Sequence, residues 1–229
     1  MKITGMEKLT LMDYPGHIAC MIFTQGCNFK CVFCHNSDLI PYEYKESLNT
    51  TKIMSYIEYR KNILDGVVIS GGEPLLQPGL KELIIEIKSK GLKVKLDTNG
   101  YNWMLLKELL DEVLIDYVAI DIKADANTYA KVIGFENYDF NNIKKSIDII
   151  TTSAIDYEFR TTITKELHNL TTLMNICENI GDEAKYFLQN FTDSEKVIGR
   201  NITAFTNDEL RDLEQNLKMN YPKIKVRGL

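Results

Sequence analysis

"GVVISGGEPLLQPGLKELIIEIKSKGLKVKLDTNG", residues 66–100, decides the architecture. "GVVIS" (66–70) and "LKVKLD" (92–97) are short β-like runs. Between them, Leu80, Leu83, Ile84 and Ile87 recur at helical spacing within 78–90, and Gly91 follows as a C-terminal stop. Two strands joined through a helix of this length need a crossover connection, so they lie parallel.

The same alternation runs outward in both directions. "ACMIFTQ" (19–25), "IDYVAIDI" (115–122), "YEFRTTI" (157–163) and "AKYFLQ" (184–189) also read as strands. Helix-like segments fall near 51–63, 102–112, 140–152, 168–180 and 207–219, with a final strand near "KIKVRG". Six strand–helix units are too many for a hairpin fold and too few for a closed eightfold barrel. The expected fold is α/β, an open, partial (β/α)6 barrel with parallel strands. No low-complexity tract, Pro-rich linker or long block of like charge interrupts it, so 1–229 reads as one domain.

Composition narrows the function classes. A net charge of −5 with scattered lysines argues against nucleic acid as the main partner. The N-terminal stretch is interrupted by Asp13, Pro15, Gly16 and His17, which is unlike a signal peptide. No apolar run reaches the roughly 18–20 residues of a membrane span. A cytoplasmic location without membrane or nucleic-acid partners is the expectation. Five cysteines, an odd and clustered set, then favour metal or redox chemistry over disulfides.

In parallel α/β folds the chemistry collects at the C-terminal strand ends. "SGGEPLL" follows 66–70, "DTNG" follows 92–97, and strand 115–122 ends in "DIK". Arg160 lies within 157–163, and Gln189 ends 184–189. Each piece has a bland reading: a hairpin turn for "DTNG", a tight turn for "GGEP", a solvated pair for "DIK", a paired strand residue for Arg160. Their supply from several separate strands favours a site.

Cys27, Cys31 and Cys34 in "GCNFKCVFCHN" (26–36) form C-x3-C-x2-C. Thiolates at this spacing wrap a soft centre, either iron–sulfur or zinc. Structural zinc wants four ligands, and the fourth would be His35, Cys20 or Cys177. His35 is awkwardly adjacent to Cys34, while Cys20 and Cys177 read as small buried hydrophobes. Around a four-iron cluster, three cysteines leave one iron for a chelating substrate, such as the amino and carboxylate groups of S-adenosylmethionine.

C-x3-C-x2-C with Phe33 before the last cysteine, followed by a strand ending in "GGE", resembles the radical S-adenosylmethionine superfamily. "CHN" (34–36), "DYPG" (13–16), "DTNG" and "DIK" resemble its glycyl-radical-enzyme activases. The stretch "KLTLMDYPGHIACMIFTQGCNFKCVFCHN" is most similar to anaerobic ribonucleoside-triphosphate reductase activating proteins, relatives of pyruvate formate-lyase activases. The resemblance spans about residues 5–190.

It implies that Cys27, Cys31 and Cys34 ligate a [4Fe-4S] cluster and carry the catalysis. It implies that Phe33 and His35 contact the adenosine side, with Asn36 counted among the cofactor-binding residues. Gly71, Gly72 and Glu73 would receive the methionine amino group. Asp97, Thr98 and Asp121 would hold a monovalent cation beside the methionine carboxylate. Lys123 and Arg160 would balance that carboxylate or contact the ribose, and Asp13 would lie near the substrate peptide. Gln189 stands where formate-lyase activases use a histidine, and "DYPG" where they tend to carry "DGPG".

The implied activity is reductive cleavage of S-adenosylmethionine and formation of a glycyl radical on a partner enzyme, here anaerobic ribonucleotide reductase. Flavodoxin or ferredoxin would supply the electron. The alternatives are a formate-lyase-type activase, a radical enzyme acting on a small molecule, and a non-catalytic zinc-binding adaptor. Residues 191–229 carry no motif beyond a packed amphipathic helix.

Overall fold

A computed structural model describes residues 1–43 and 47–228. Eight strands form one sheet in sequence order: β1 (Ile3–Thr10), β2 (Ala19–Thr24), β3 (Gly66–Gly71), β4 (Lys93–Thr98), β5 (Tyr117–Asp121), β6 (Asp156–Ile163), β7 (Tyr186–Asn190) and β8 (Ile224–Arg227). β1 pairs antiparallel with β2, and every later neighbour pair is parallel. β1 and β8 stand at opposite edges, so the sheet curls without closing.

The helices follow from local chemistry. α1 (Thr50–Arg60), α2 (Leu80–Lys88), α3 (Trp103–Asp111), α4 (Tyr129–Ile133), α5 (Phe140–Thr152), α6 (Leu170–Ile180) and α7 (Asn207–Lys218) connect the strands. In α5, the Asp139 side chain accepts from Asn141 N–H, and Ile143, Ser146, Ile147 and Ile150 bury one face. α6 and α7 each begin with a reciprocal capping box, Asn169 with Thr172 and Thr206 with Glu209. Beyond α2, Gly91 takes a φ of +80°, a left-handed stop that suits glycine.

Strand periodicity sorts the side chains. Val94, Leu96, Val118, Ile120 and Phe159 are fully buried within the hydrophobic core. Each such side chain contributes about 1.5–3 kcal/mol relative to exposure. The alternate positions, Lys95 and Asp97 on β4, Tyr117 and Asp121 on β5, Glu158, Arg160 and Thr162 on β6, and Phe187 and Gln189 on β7, share the opposite, concave face.

The sheet extends the expected six units. Seven consecutive strands are parallel, and an antiparallel edge strand, β1, precedes them. The short helix α4 is a further addition, and the expected helix over 51–63 ends at Arg60. "DTNG" joins β4 to α3 and makes no hairpin. Among the described residues, no helix is long and apolar enough to cross a membrane.

Candidate active site

The cysteine loop leaves the C-terminal end of β2 and is held from three sides. Glu73 N–H donates to Gly26 O (2.8 Å), tying the loop to the end of β3. Lys30 and Val32 N–H groups donate to Ile133 O (2.7 Å) and Val132 O (3.1 Å) of α4. Gly199 N–H donates to Val32 O (2.7 Å), which brings the 191–206 connection over the loop. The C-terminal carbonyls of α4 are thus satisfied by the loop amides. Beneath the loop, Phe29 is 1% exposed and packs edge-on against Tyr101 and Tyr129, with ring centroids 5.7 and 6.3 Å away.

The glycine pair has a steric cause inside the protein. A Cβ on Gly71 would overlap Thr24 N, and Gly71 has a φ of +114°. A Cβ on Gly72 would overlap Gly26 O. The close approach demanded of "GG" is therefore to the chain's own β2 end and cysteine loop.

Fifteen of the sixteen candidate residues line one cavity of about 280 Å³: the three cysteines, Phe33, His35, Asn36, Gly71, Gly72, Glu73, Asp97, Thr98, Asp121, Lys123, Arg160 and Gln189. Asp13 is the exception. It precedes β2, at the other end of a six-residue strand that spans about 20 Å at ~3.3 Å per residue. There Asp13 accepts a hydrogen bond from Thr10 Oγ1 (2.5 Å), while its neighbour Tyr14 packs on Tyr117 (5.9 Å between ring centroids).

A ladder of ion pairs crosses the cavity. Lys95 Nζ donates to Asp97 Oδ1 (2.5 Å), and Arg160 reaches Asp97 Oδ2 (3.2 Å) and Asp121 Oδ1 (2.8 Å). Lys123 Nζ lies 3.2 Å from Asp121 Oδ2. Deeper in the sheet's concave face, Glu158 accepts from Arg227 (2.5 Å) and stands 3.8 Å from Arg160. Burial opposes the Asp121 charge, but the guanidinium of Arg160 and ammonium of Lys123 outweigh it and hold the carboxyl well below the usual range.

Those pairs surround the expected cation site. Both oxygens of Asp97 and both of Asp121 already face cationic side chains. Thr98 Oγ1 donates to Glu73 (2.6 Å). In this arrangement a monovalent ion beside Asp97, Thr98 and Asp121 would share their oxygens with Lys95, Lys123 and Arg160. Arg160 occupies the space between the two carboxylates.

Glu73 is 1% exposed and works chiefly as a brace. Its carboxylate accepts from Leu75 N–H (3.0 Å), Thr98 Oγ1 (2.6 Å) and Asn99 N–H (2.7 Å). Burial pushes it up to about 7 against the pull of these bonds. A carboxylate has about four lone-pair sites, so one acceptor position remains for an ammonium.

Three thiols lining one cavity are the donor set of a soft metal centre. Burial pushes Cys27 up to about 12 and Cys31 up to about 11, and it raises Cys34 as well. Loading with iron must therefore displace their protons. Cys20 and Cys177 are fully buried in the hydrophobic core and do not line the cavity, which removes both as fourth ligands. With three thiols and the Lys123–Arg160 pair lining one cavity, the residues fit a three-thiolate iron–sulfur cluster and an anionic chelating ligand.

Several lining or supporting residues escaped the sequence reading. Asn99 lines the cavity inside the apparent turn signal "DTNG". His168 is 1% exposed; its Nδ1 accepts from Thr164 N–H (3.1 Å), and Nε2 lies 3.1 Å from Lys123 O. Phe191 stacks on His35 at 5.6 Å, so the 191–206 segment supports the cavity wall at His35. No motif marks it.

Comparison with known proteins agrees with this geometry. Residues 21–166 match the radical SAM superfamily. A Methanocaldococcus jannaschii protein, provisionally described as a glycyl-radical enzyme activating enzyme, is 32% identical over 99% of this chain and 96% of its own length. The pyruvate formate-lyase-activating enzyme of Clostridium pasteurianum is 30% identical over 95% of this chain and 97% of its own. Among solved structures, Streptococcus suis SuiB bound to S-adenosylmethionine superposes with a TM-score of 0.71 over 90% of this chain and 49% of SuiB, at 16% identity. That likeness shows the fold. The superfamily uses a [4Fe-4S] cluster with S-adenosylmethionine, and this chain belongs to it, among the glycyl-radical-enzyme activating enzymes.

Proposed function

We propose that this protein generates a glycyl radical on a partner enzyme, with Cys27, Cys31 and Cys34 holding the cluster. Bound and reduced, the cluster supplies the electron that cleaves S-adenosylmethionine to methionine and a 5′-deoxyadenosyl radical, which takes hydrogen from a backbone glycine. What supports the reading is the meeting of the three thiols, the Gly71–Glu73 turn and the Lys123–Arg160 pair in one cavity.

The chain's own residues bind and orient. Gly71 and Gly72 carbonyls and the remaining Glu73 acceptor receive the methionine ammonium. Lys123 and Arg160 face its carboxylate. Phe33 and His35, the latter backed by Phe191, take the adenosine side, with Asn36 and Gln189 at the rim. The buried walls exclude water around the reacting carbon, which favours a fixed geometry over solvent quenching. No side chain need act as a general base.

The partner we favour is anaerobic ribonucleoside-triphosphate reductase, on the resemblance of residues 8–36. Flavodoxin or ferredoxin is the proposed electron donor, residues 1–229 act as one unit, and the location is cytoplasmic. Asp13 lies about a strand length from the cavity, so a contact with the partner would fall at the opposite end of the sheet. The test mixes reconstituted protein, S-adenosylmethionine and reductant anaerobically with anaerobic ribonucleotide reductase or with formate-lyase. A glycyl doublet in the reductase supports the assignment. A doublet in formate-lyase alone moves it to the other partner, and 5′-deoxyadenosine release with no protein radical in either refutes it.

A further inference from the structure

We propose that Asn99 is a positioning residue for the iron–sulfur cluster: its side-chain amide donates to Cys27 Sγ, clamps the cysteine loop to the end of β4, and so raises the cluster's reduction potential. Asn99 is 6% exposed, and its backbone N–H is fixed by Glu73 Oε2 at 2.7 Å. Its Oδ1 accepts from the backbone N–H of Tyr101 at 3.0 Å. A backbone N–H only donates, so this contact settles which end of the amide carries oxygen.

The NH2 end then faces the loop. Nδ2 lies 2.8 Å from Asn28 Oδ1 and 4.0 Å from Cys27 Sγ, two acceptors for two hydrogens. Cys27 Sγ also accepts from Phe29 N–H at 3.4 Å. Because Asn28 turns its oxygen to Asn99, its own Nδ2 is left buried, with no protein partner among the described residues. Asn28 Oδ1 itself lies 3.9 Å from Cys27 Sγ, so of the two amides it is that of Asn99 that brings an N–H group to the cysteine that begins the cluster motif.

The consequence is electrostatic. Reduction adds negative charge that is shared with the ligating sulfurs, and N–H donors aimed at a sulfur stabilise the reduced state more than the oxidised one. Losing one such donor should make the cluster harder to reduce. The amide acts through Cys27 and need not touch S-adenosylmethionine. This inference rests on Cys27 being a cluster ligand.

The test is a redox titration, followed by electron paramagnetic resonance, of the reconstituted full chain carrying Asn99→Leu or Asn99→Asp. For Asn99→Leu, the ratio of reduced to oxidised cluster at a fixed solution potential should fall about tenfold, a shift of about −59 mV for one electron. Asn99→Asp should shift further, because it adds an anion beside the thiolate. Asn28→Ala, which removes both the amide's second anchor and the oxygen facing Sγ, should shift the potential by less than Asn99→Leu. Wild-type potentials in fully iron-loaded Asn99 variants would overturn the proposal.

Should the Asn99 variants fail to hold iron, the wild-type holoprotein decides. Electron–nuclear double resonance on protein labelled with side-chain 15N asparagine should show a nitrogen coupled to the reduced cluster that persists in Asn28→Ala. No such coupling would overturn the proposal. A wild-type protein that takes up no four-iron cluster would instead refute the ligand assignment, so the two failures are distinguishable.

Discussion

Replacing Arg160 with methionine tests whether the ion ladder is built for an anion. Four cationic side chains, Lys95, Lys123, Arg160 and Arg227, face three anionic ones, Asp97, Asp121 and Glu158. Arg160→Met leaves three against three, each carboxylate keeping one partner, and removes the surplus charge for a methionine carboxylate. Breaking a buried ion pair costs about 3–5 kcal/mol. Asp97 retains Lys95 and Asp121 retains Lys123, so the lower end applies: about 3 kcal/mol of stability at pH 7. A lost charge-assisted hydrogen bond to the ligand costs about 1.5–3 kcal/mol, or roughly 10–100-fold in Kd for S-adenosylmethionine. Urea unfolding of the apoprotein and anaerobic calorimetry on the reconstituted protein read the two numbers. The folded Asp121 carboxyl titrates below its unfolded counterpart, so its pairing stabilises the fold above the unfolded value near pH ~4 and fades as acid protonates it. The stability gap between wild type and variant should therefore narrow below about pH 4. A variant within ~0.5 kcal/mol of wild type, with unchanged Kd, would refute the reasoning.

Alanine at Cys27, Cys31 or Cys34 should abolish four-iron loading, measured as iron and labile sulfide per chain. Alanine at the core residues Cys20 or Cys177 should leave loading intact and cost only about 1 kcal/mol in unfolding. Gly72→Ala drives a methyl into Gly26 O, with Gly26 C at 2.8 Å and Leu39 O at 3.0 Å. It should cost about 1–3 kcal/mol and lower iron loading, because the strain falls on the loop that begins the cysteine motif; normal stability and loading would contradict the packing role given to the glycine pair.

Legibility in the sequence followed burial. Helix α5 matches its expected span, 140–152, because a clear cap and a strict apolar stripe coincide. β1 was invisible because an edge strand needs no buried face: Glu7, Lys8 and Leu9 are exposed. The strand-end residues were readable, since parallel topology puts glycines and polar groups where water would otherwise be met. Lys95 and Glu158 were not. A charged residue inside a strand reads as solvent-facing, yet here the curled sheet turns both inward, at 1% and 2% exposure. Asn99 hid within a turn signal whose backbone role is real, and its amide contacts join positions 71 residues apart. The 191–206 support for His35 lacks regular structure and periodicity, so no pattern could announce it.

The most direct measurement is electron paramagnetic resonance on anaerobically reconstituted, dithionite-reduced protein, with and without S-adenosylmethionine. The account predicts a reduced four-iron signal whose g-values shift when the ligand is added, as chelation at the iron without a cysteine requires. A silent sample containing stoichiometric zinc and no labile sulfide would contradict it and leave Cys27, Cys31 and Cys34 as part of a structural site.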